Sequence, residues 1–200
     1  MGTAASGTVF GFDFNPFADR LRIVSNTEQN LRIVPTTGAS VDGGTIAGDL
    51  TDDPLAYAGG DPNNGANPNI VSSAYSNNFF GAPSTVLYNI DASLDILVTQ
   101  SPPNNGTLNT VGALGVNTSD IAGFDISGSS GIAYAALENG GTSSLYTINL
   151  ATGAATLVGA IGSGLSVNGL TAVPEPEHYA LIAAGSLIGF ALLRRRFKQA

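Results

Sequence analysis

Short runs in which apolar and polar residues alternate recur along the chain, and Gly, Asn, Asp and Pro separate them. This period of two is typical of half-buried β-strands. The clearest stretch covers residues 121–160, where Asn139 and Gly140 suit a tight hairpin turn between two runs. We predict strands in this stretch at residues 121–127, 132–137, 144–150 and 155–160.

The first and middle parts of the chain show a weaker form of the same pattern. In the first part we predict strands at residues 9–14, 21–25 and 31–34. In the middle part, residues 87–90 fit either the second or the third strand of a unit, and both placements stay open. Residues 61–68 are dominated by Asp, Asn, Gly and Pro and are predicted to form a loop.

Sequence motifs also recur along the chain. Gly-Phe-Asp-Phe at residues 11–14 returns as Gly-Phe-Asp-Ile at residues 123–126. A second motif begins at Leu31, Leu87 and Leu145, at spacings of 56 and 58 residues, which lie near the range of propeller blades. We therefore predict an all-β fold, specifically an incomplete β-propeller-like repeat of four-stranded antiparallel blades, plus one C-terminal transmembrane helix.

Three such units cannot close a ring, because propellers have four or more blades. Residues 167–173 are a candidate closing strand for the open arc. Without closure, unpaired strand edges and apolar faces stay exposed, so residues 1–173 in isolation are expected to self-associate.

Composition and charge narrow the function classes. Residues 1–173 carry thirteen acidic side chains against Arg20, Arg22 and Arg32, a net charge of minus ten. A body with this charge and without Lys repels phosphate backbones, which argues against nucleic-acid partners. The chain has no Cys, which excludes disulfides, thiolate catalysis and Cys-based zinc sites.

The C-terminal end has three parts in a fixed order. A Pro-rich motif begins at Val173, an apolar run covers residues 179–193, and a cationic cluster covers residues 194–196. We predict a transmembrane helix over residues 179–193, which would span about 22 Å of a roughly 30 Å hydrocarbon layer. The cationic cluster would stay cytoplasmic, and residues 1–173 would lie on the other side of the membrane.

This arrangement resembles the PEP-CTERM sorting signal of Gram-negative bacteria. The sorting motif is matched by Val173, Pro174, Glu175 and Pro176, and the cationic end by Arg194, Arg195 and Arg196. The resemblance implies an exosortase-type processing enzyme and the membrane as partners, and export linked to extracellular polysaccharide. It implies a location in the bacterial membrane or cell envelope, then at the cell surface or outside the cell after processing. The alternative is a membrane anchor that is never cut.

The body resembles a bacterial family known as domain of unknown function 4394. The similar motifs lie at residues 11–16, 102–108 and 145–159, and the resemblance covers about residues 7–172. It implies a propeller-like domain over residues 1–172, followed by the sorting segment at residues 173–200. Members of that family usually carry one or two further repeats before the Gly-Phe-Asp-Phe motif, and residues 1–7 lack a secretory signal pattern. We therefore expect the chain to be N-terminally incomplete.

Candidate chemistry is sparse. The single histidine, His178, lies in the sorting segment, so we predict no imidazole base in the β domain and a non-catalytic protein. Asp13 and Asp125 occupy equivalent repeat positions and are weak ligand candidates: in a propeller both would approach the central channel, where they could bind calcium or perform acid–base chemistry. The competing interpretation is that each carboxylate binds backbone amides within its own blade.

Other polar groups have structural explanations. Arg20 and Arg22 are expected to share a strand face and to form solvated ion pairs with Asp19 or Glu28, an acidic sugar being the alternative. Asp52, Asp53 and the loop at residues 61–69 offer oxygen ligands without the spacing of an EF-hand. The tyrosines at four strand positions are expected to pack between blades, with a carbohydrate-stacking surface as the alternative; they are Tyr75, Tyr88, Tyr134 and Tyr146.

Together these features predict an exported cell-surface or extracellular-matrix protein with a binding or structural role. Extracellular polysaccharide is the candidate ligand, and no cofactor is expected apart from the calcium alternative. Two other hypotheses remain open, a calcium-dependent propeller hydrolase or lactonase-like enzyme and a nonfunctional gene fragment.

Overall fold

The computed structural model describes residues 2–48 and 50–173. Within these residues the chain forms three β-sheets and a single short 3-10 helix, which confirms the predicted all-β class. Among the described residues, no helix has the length and apolar character needed to cross a membrane. The predicted transmembrane helix at residues 179–193 and the motif residues from Pro174 onward lie outside the described residues.

The first sheet is an antiparallel meander in the order β1-β2-β3. Its strands are β1 (Phe10–Asn15), β2 (Arg20–Ser25) and β3 (Asn30–Ile33). Each agrees with the predicted strand to within one residue at both ends. The β1–β2 turn is held by the Asn15 side chain, which accepts hydrogen bonds from the backbone N–H groups of Phe17 and Ala18, both at 2.9 Å.

The second sheet has five strands in the order β4-β8-β7-β6-β5. The strands are β4 (Ala56–Tyr57), β5 (Ile70–Tyr75), β6 (Leu87–Asp91), β7 (Ile96–Gln100) and β8 (Thr107–Ala113), and the 3-10 helix (Pro103–Asn105) lies between β7 and β8. Residues 87–90 lie in β6, which is the second of the four antiparallel strands β5 to β8. The predicted loop at residues 61–68 connects β4 to β5.

The prediction of four antiparallel strands in every unit is wrong for the first sheet, and in the second sheet a fifth strand joins the four antiparallel strands β5 to β8. The first sheet has three strands, and β4 adds to the second sheet in parallel with β8. After β3 the chain runs through Thr, Gly, Asp and Pro residues that form turns, with one isolated bridge between Ile33 and Ser40. Such residues favour turns over a continuous strand, so the first unit lacks a regular fourth strand.

The third sheet has the predicted four antiparallel strands in the order β12-β11-β10-β9. They are β9 (Ala122–Ile126), β10 (Ala133–Asn139), β11 (Thr142–Ile148) and β12 (Ala155–Ala160). The β10–β11 turn lies one residue later than predicted, because Asn139 pairs with Thr142 and leaves Gly140 and Gly141 as turn residues with φ of 63° and 86°. Positive φ at both positions is the requirement of a type I′ hairpin.

Strand β5 packs beside both β1 and β9, so the sheets follow one another in chain order. The alternating side chains of the second sheet serve two apolar clusters. Ile70 and Val98 pack with Val24 towards the first sheet, whereas Val71 packs with Phe124 towards the third. The two faces of the second sheet thus pack against the first and the third sheet. Each fully buried side chain of this size contributes about 1.5–3 kcal/mol of hydrophobic stabilisation.

Candidate functional site

Strands β1, β5 and β9 line a common cavity of about 220 Å³ together with the segment at residues 168–171. Both carboxylates singled out from the repeat, Asp13 on β1 and Asp125 on β9, lie in its wall. Phe10, Phe12 and Phe14 contribute an apolar part of the same wall. The two Asp residues and the three Phe residues therefore border the same cavity.

Asp13 forms hydrogen bonds within β1 and across to the second sheet. Its Oδ2 atom accepts the backbone N–H of Tyr75 on β5 at 2.7 Å. Its Oδ1 atom accepts the backbone N–H of Phe14 at 2.7 Å and an N–H of the Asn78 side chain at 3.4 Å. The interpretation that each carboxylate binds neighbouring amides within its own unit holds for the Phe14 N–H, but Asp13 also binds the Tyr75 N–H of the next sheet.

Asp125 forms a similar set of contacts on the third sheet, two units later in the chain. Its Oδ1 atom accepts the backbone N–H of Ile126 at 2.7 Å. Its Oδ2 atom accepts the backbone N–H of Ala172 at 2.7 Å and the hydroxyl of Thr171 at 3.3 Å. Here too the carboxylate reaches the segment that follows its own sheet.

The glycine of the repeated motif allows the close approach of these segments. A Cβ atom on Gly11 would lie 2.7 Å from the backbone nitrogen of Ser73. A Cβ atom on Gly123 would lie 2.6 Å from the backbone nitrogen of Leu170. In both copies of the motif, the glycine lies against the backbone nitrogen of a residue two positions before the one whose N–H the Asp binds. The residue that supplies this N–H is Tyr75 for Asp13 and Ala172 for Asp125. The Gly-Phe-Asp motif thus joins one sheet to the next segment, because its glycine allows the close approach and its Asp binds a backbone N–H of that segment.

Burial raises the pKa of Asp13 to about 6, and repulsion from the charge of Asp125 adds to the rise, although the Tyr75 N–H opposes it. A carboxyl group with this pKa can exchange protons near neutral pH. Its oxygen atoms already accept the N–H groups of Phe14 and Tyr75. The geometry therefore accounts for Asp13 as a structural acceptor.

The sequence of residues 1–171 matches the family described as a domain of unknown function (DUF4394). The chain belongs to the DUF4394 family. This result confirms the resemblance of the body that the sequence motifs indicated. No curated protein and no solved structure matches the chain.

In this DUF4394 chain Arg22 does not form a solvated ion pair with Asp19 or Glu28, and that prediction is wrong. Arg22 is 1% exposed. Its Nη1 atom donates to Asp52 at 2.7 Å and to Asn30 at 2.7 Å, and its Nη2 atom donates to Asn104 at 2.9 Å. Strand spacing could not reveal this arrangement, because Asp52 lies in a loop and Asn104 in the 3-10 helix, both distant from Arg22 in sequence.

The remaining oxygen-rich candidates are also engaged by the protein. Asp52 additionally binds Arg32, with 3.1 Å between the charged atoms. Asp53 accepts hydrogen bonds from Thr45 and from the N–H of Ile46, and these bonds lower the pKa of Asp53. Asp61 accepts the N–H of Thr110 at 2.6 Å. Among residues 2–48 and 50–173, no group of three or more His, Cys, Asp or Glu side chains is placed to hold a metal ion.

The tyrosines take up packing positions. Tyr75 is buried and its hydroxyl accepts an N–H of Arg22 at 3.4 Å. Tyr88 and Tyr146 pack against the apolar cluster between the second and third sheets, and Tyr134 is half-buried. Sequence reasoning passed over Tyr57, a buried residue whose hydroxyl donates to Asp91 at 2.6 Å.

Proposed function

We propose that this DUF4394 chain is an exported cell-surface or extracellular-matrix protein with a binding or structural role. The observation that carries the proposal is the order of elements at the C-terminal end. The PEP-CTERM-type motif of Val173, Pro174, Glu175 and Pro176 precedes an apolar run, and Arg194, Arg195 and Arg196 follow that run. The partners of this segment are an exosortase-type processing enzyme and the bacterial membrane.

The proposal includes a propeller-like arrangement in which the three sheets are successive blades. The repeated contact of the Gly-Phe-Asp motif supports it. Asp125 binds Ala172 as Asp13 binds Tyr75 of β5. The segment at residues 168–172, which forms no regular strand, would take the place beside the third sheet that β5 takes beside the first, and so would be the fourth inner strand of such an arrangement.

The use of the two carboxylates supports a non-catalytic role. Each one joins a sheet to the next segment by accepting backbone N–H groups. Extracellular polysaccharide is the ligand class proposed for the β domain. A neutral glycan would not be repelled by the net charge of minus ten on residues 1–173.

The export proposal is tested by following the C-terminal end in cells. The full chain, preceded by a cleavable secretory signal, is expressed in matched bacterial strains with and without an exosortase-type enzyme. Mass spectrometry of the purified protein is expected to show loss of the C-terminal segment, and release from the membrane, only in the strain that has the enzyme.

Matched variants make this test specific. Replacing Pro174, Glu175 and Pro176 together by Ala is expected to leave the protein full length in the membrane, whereas Glu177→Ala, just outside the motif, should be processed normally. Full-length protein free in the cytosol of both strains would contradict the proposal.

The rival function is a calcium-dependent hydrolase or lactonase-like activity. It is favoured by one observation, the position of Asp13 and Asp125 in the wall of the same cavity. Titration calorimetry with calcium chloride separates the two functions. We expect no saturable binding, whereas a calcium site that Asp125→Asn removes would favour the enzyme.

A further inference from the structure

Four segments of the chain run side by side in the same direction, namely β1, β5, β9 and residues 168–172. Before β5 and β9 begin, the side chain of Asn69 donates to Asp120 at 2.7 Å. After both strands end, a Cβ atom on Gly128 would meet the backbone carbonyl of Asn78. The contacts of the two Gly-Phe-Asp motifs advance in the same sense between β1 and β5 and between β9 and residues 168–172. The C-terminal ends of all four segments therefore lie at one end of the β domain.

The turns at this end expose apolar side chains. They follow β1, β5 and β9 and cover residues 16–19, 76–86 and 127–132. The first two turns are neighbours, since Phe17 of one and Phe79 and Phe80 of the other line the same surface hollow. The exposed large apolar residues of the three turns and of the last described position are Phe17, Phe79, Phe80, Val86, Ile132 and Val173. We call these six residues the apolar end.

The described part of the chain also leaves the β domain at this end. Val173 directly follows the fourth parallel segment, and the apolar run begins at Tyr179. Six residue steps of fully extended chain span at most about 22 Å. The proposed function places residues 179–193 in the membrane, and this step rests on it. The apolar end is then the part of the β domain that the chain holds closest to the bilayer.

Charge favours the same end. Asp19 is the only charged residue within the three turns. At the opposite end, the β2–β3 turn carries Glu28, the β6–β7 turn carries Asp95, and Asp120 precedes β9. A bilayer that contains anionic lipids repels such carboxylates. The end with exposed Phe side chains and almost no charge can therefore approach a bilayer, whereas the opposite end is repelled.

We propose that the apolar end docks on the lipid bilayer that holds the C-terminal run, with Phe17, Phe79 and Phe80 inserted in the interfacial layer of the lipids. Phe17 is 66% exposed and Phe80 is fully exposed in the protein alone, so both gain burial there. The β domain is then held at two places, by the chain after Val173 and by the Phe side chains. A few aromatic side chains alone bind a membrane weakly and reversibly, so removal of the C-terminal segment still releases the protein.

The test uses the full chain reconstituted in liposomes of phosphatidylethanolamine and phosphatidylglycerol. Because the chain has no Cys, Phe80→Cys provides a single site for an environment-sensitive fluorophore. The matched control is Leu94→Cys, at an exposed apolar position in the β6–β7 turn of the opposite end. We expect the label at position 80 to shift its emission to the blue and to be quenched by brominated lipids. The label at position 94 should be quenched only by aqueous iodide.

A second variant tests whether the two neighbouring turns insert together. Phe17→Gln is combined with the label at position 80, which leaves the labelled turn itself unchanged. The blue shift and the quenching by brominated lipids should both decrease, because the adjacent turn loses its inserted ring. Leu157→Gln, at an exposed position on β12 outside the apolar end, should leave both signals unchanged. Circular dichroism should show the same strand content in all variants.

The outcomes separate this proposal from the proposed function. Full-length protein that an alkaline carbonate wash removes from the liposomes would overturn the membrane segment, and this proposal with it. Protein that stays in the liposomes with both labels open to iodide alone would overturn only the docking of the apolar end. A blue shift at position 80 without quenching by brominated lipids would assign the surface to a second protein copy instead. Lipid quenching that is equal at positions 80 and 94, or that is unaffected by Phe17→Gln, would also overturn the proposal.

Discussion

The carboxylate of Asp13 accepts the backbone N–H of Tyr75 at 2.7 Å, and this bond joins the first sheet to the second. The same contact recurs between Asp125 and Ala172 at 2.7 Å. The motif covers only a few consecutive residues, yet its Asp binds a backbone N–H outside its own sheet. The consequences for stability can be measured separately at the Asp, at the glycine and at the neighbouring ion pair.

The first prediction concerns Asp125. Asp125→Ala leaves the N–H of Ala172 without its acceptor and is expected to lower the free energy of unfolding by about 1–3 kcal/mol. Urea unfolding of the full chain measures the loss, and hydrogen exchange at the Ala172 amide should accelerate. Asp42→Ala, which removes an exposed acceptor that binds the N–H of Gly44 within its own turn, is the control. Equal losses in both variants would show that the inter-sheet bond adds nothing.

The second prediction concerns pH. Burial holds the pKa of Asp13 at about 6 in the folded protein, against 3.8 in the unfolded chain. The folded state therefore binds this proton more tightly. The stabilisation is fully present below pH 3.8 and is lost as the pH rises through 6, a difference of about 3 kcal/mol.

Asp13→Asn checks this pH dependence because it removes the titrating group. Relative to wild type, the variant should gain up to about 3 kcal/mol in free energy of unfolding between pH 4 and pH 7. Urea unfolding at several pH values gives the difference directly. A wild-type-minus-variant difference that stays constant over that range would refute the raised pKa.

The third prediction concerns Gly123. A Cβ atom there would lie 2.6 Å from the backbone of Gly169 and Leu170, so Gly123→Ala should push the segment at residues 168–172 away from β9. We expect a loss of about 1–3 kcal/mol and faster proteolysis near residue 170. Gly159→Ala on β12 is the control, since a Cβ atom at that position meets nothing within 4 Å. Identical proteolysis of both variants would contradict the close approach.

The fourth prediction concerns the buried pair of Arg22 and Asp52. Asp52→Asn leaves the guanidinium of Arg22 buried without its counter-charge and is expected to cost about 3–5 kcal/mol. Thermal and urea unfolding measure the effect. Asp120→Asn, the same change at an exposed carboxylate bonded to Asn69 at 2.7 Å, should cost far less. A small loss at Asp52 would mean that the neighbouring amides alone satisfy Arg22.

Much of the strand pattern could be predicted because alternation and turn residues act locally. The strands of the first sheet and β12 lie where the pattern placed them. The fifth strand of the second sheet could not be predicted in this way, because β4 has only two residues and exists through its pairing with β8. Pairing partners that are distant in sequence leave no periodic signal in so short a segment.

The candidate carboxylates were found from the sequence, but their role was not. The repeat drew attention to Asp13 and Asp125, whereas their partners Tyr75 and Ala172 belong to no shared motif. A backbone N–H can be supplied by any residue except proline, so the partner of such a bond leaves no trace in side-chain identity. The burial of Arg22 could not be predicted either, because its counter-ion Asp52 lies in a loop that is distant in sequence.

The sequence by itself determined that this chain forms short strands in repeated units, because side-chain alternation and turn preference are local properties. It also determined the order of motif, apolar run and Arg cluster at the C-terminal end. Only the tertiary structure decided which faces meet. Phe12 and Phe124 occupy the same place in the same motif, yet one is 66% exposed and the other 4%, since burial depends on a neighbouring sheet that the local sequence does not specify.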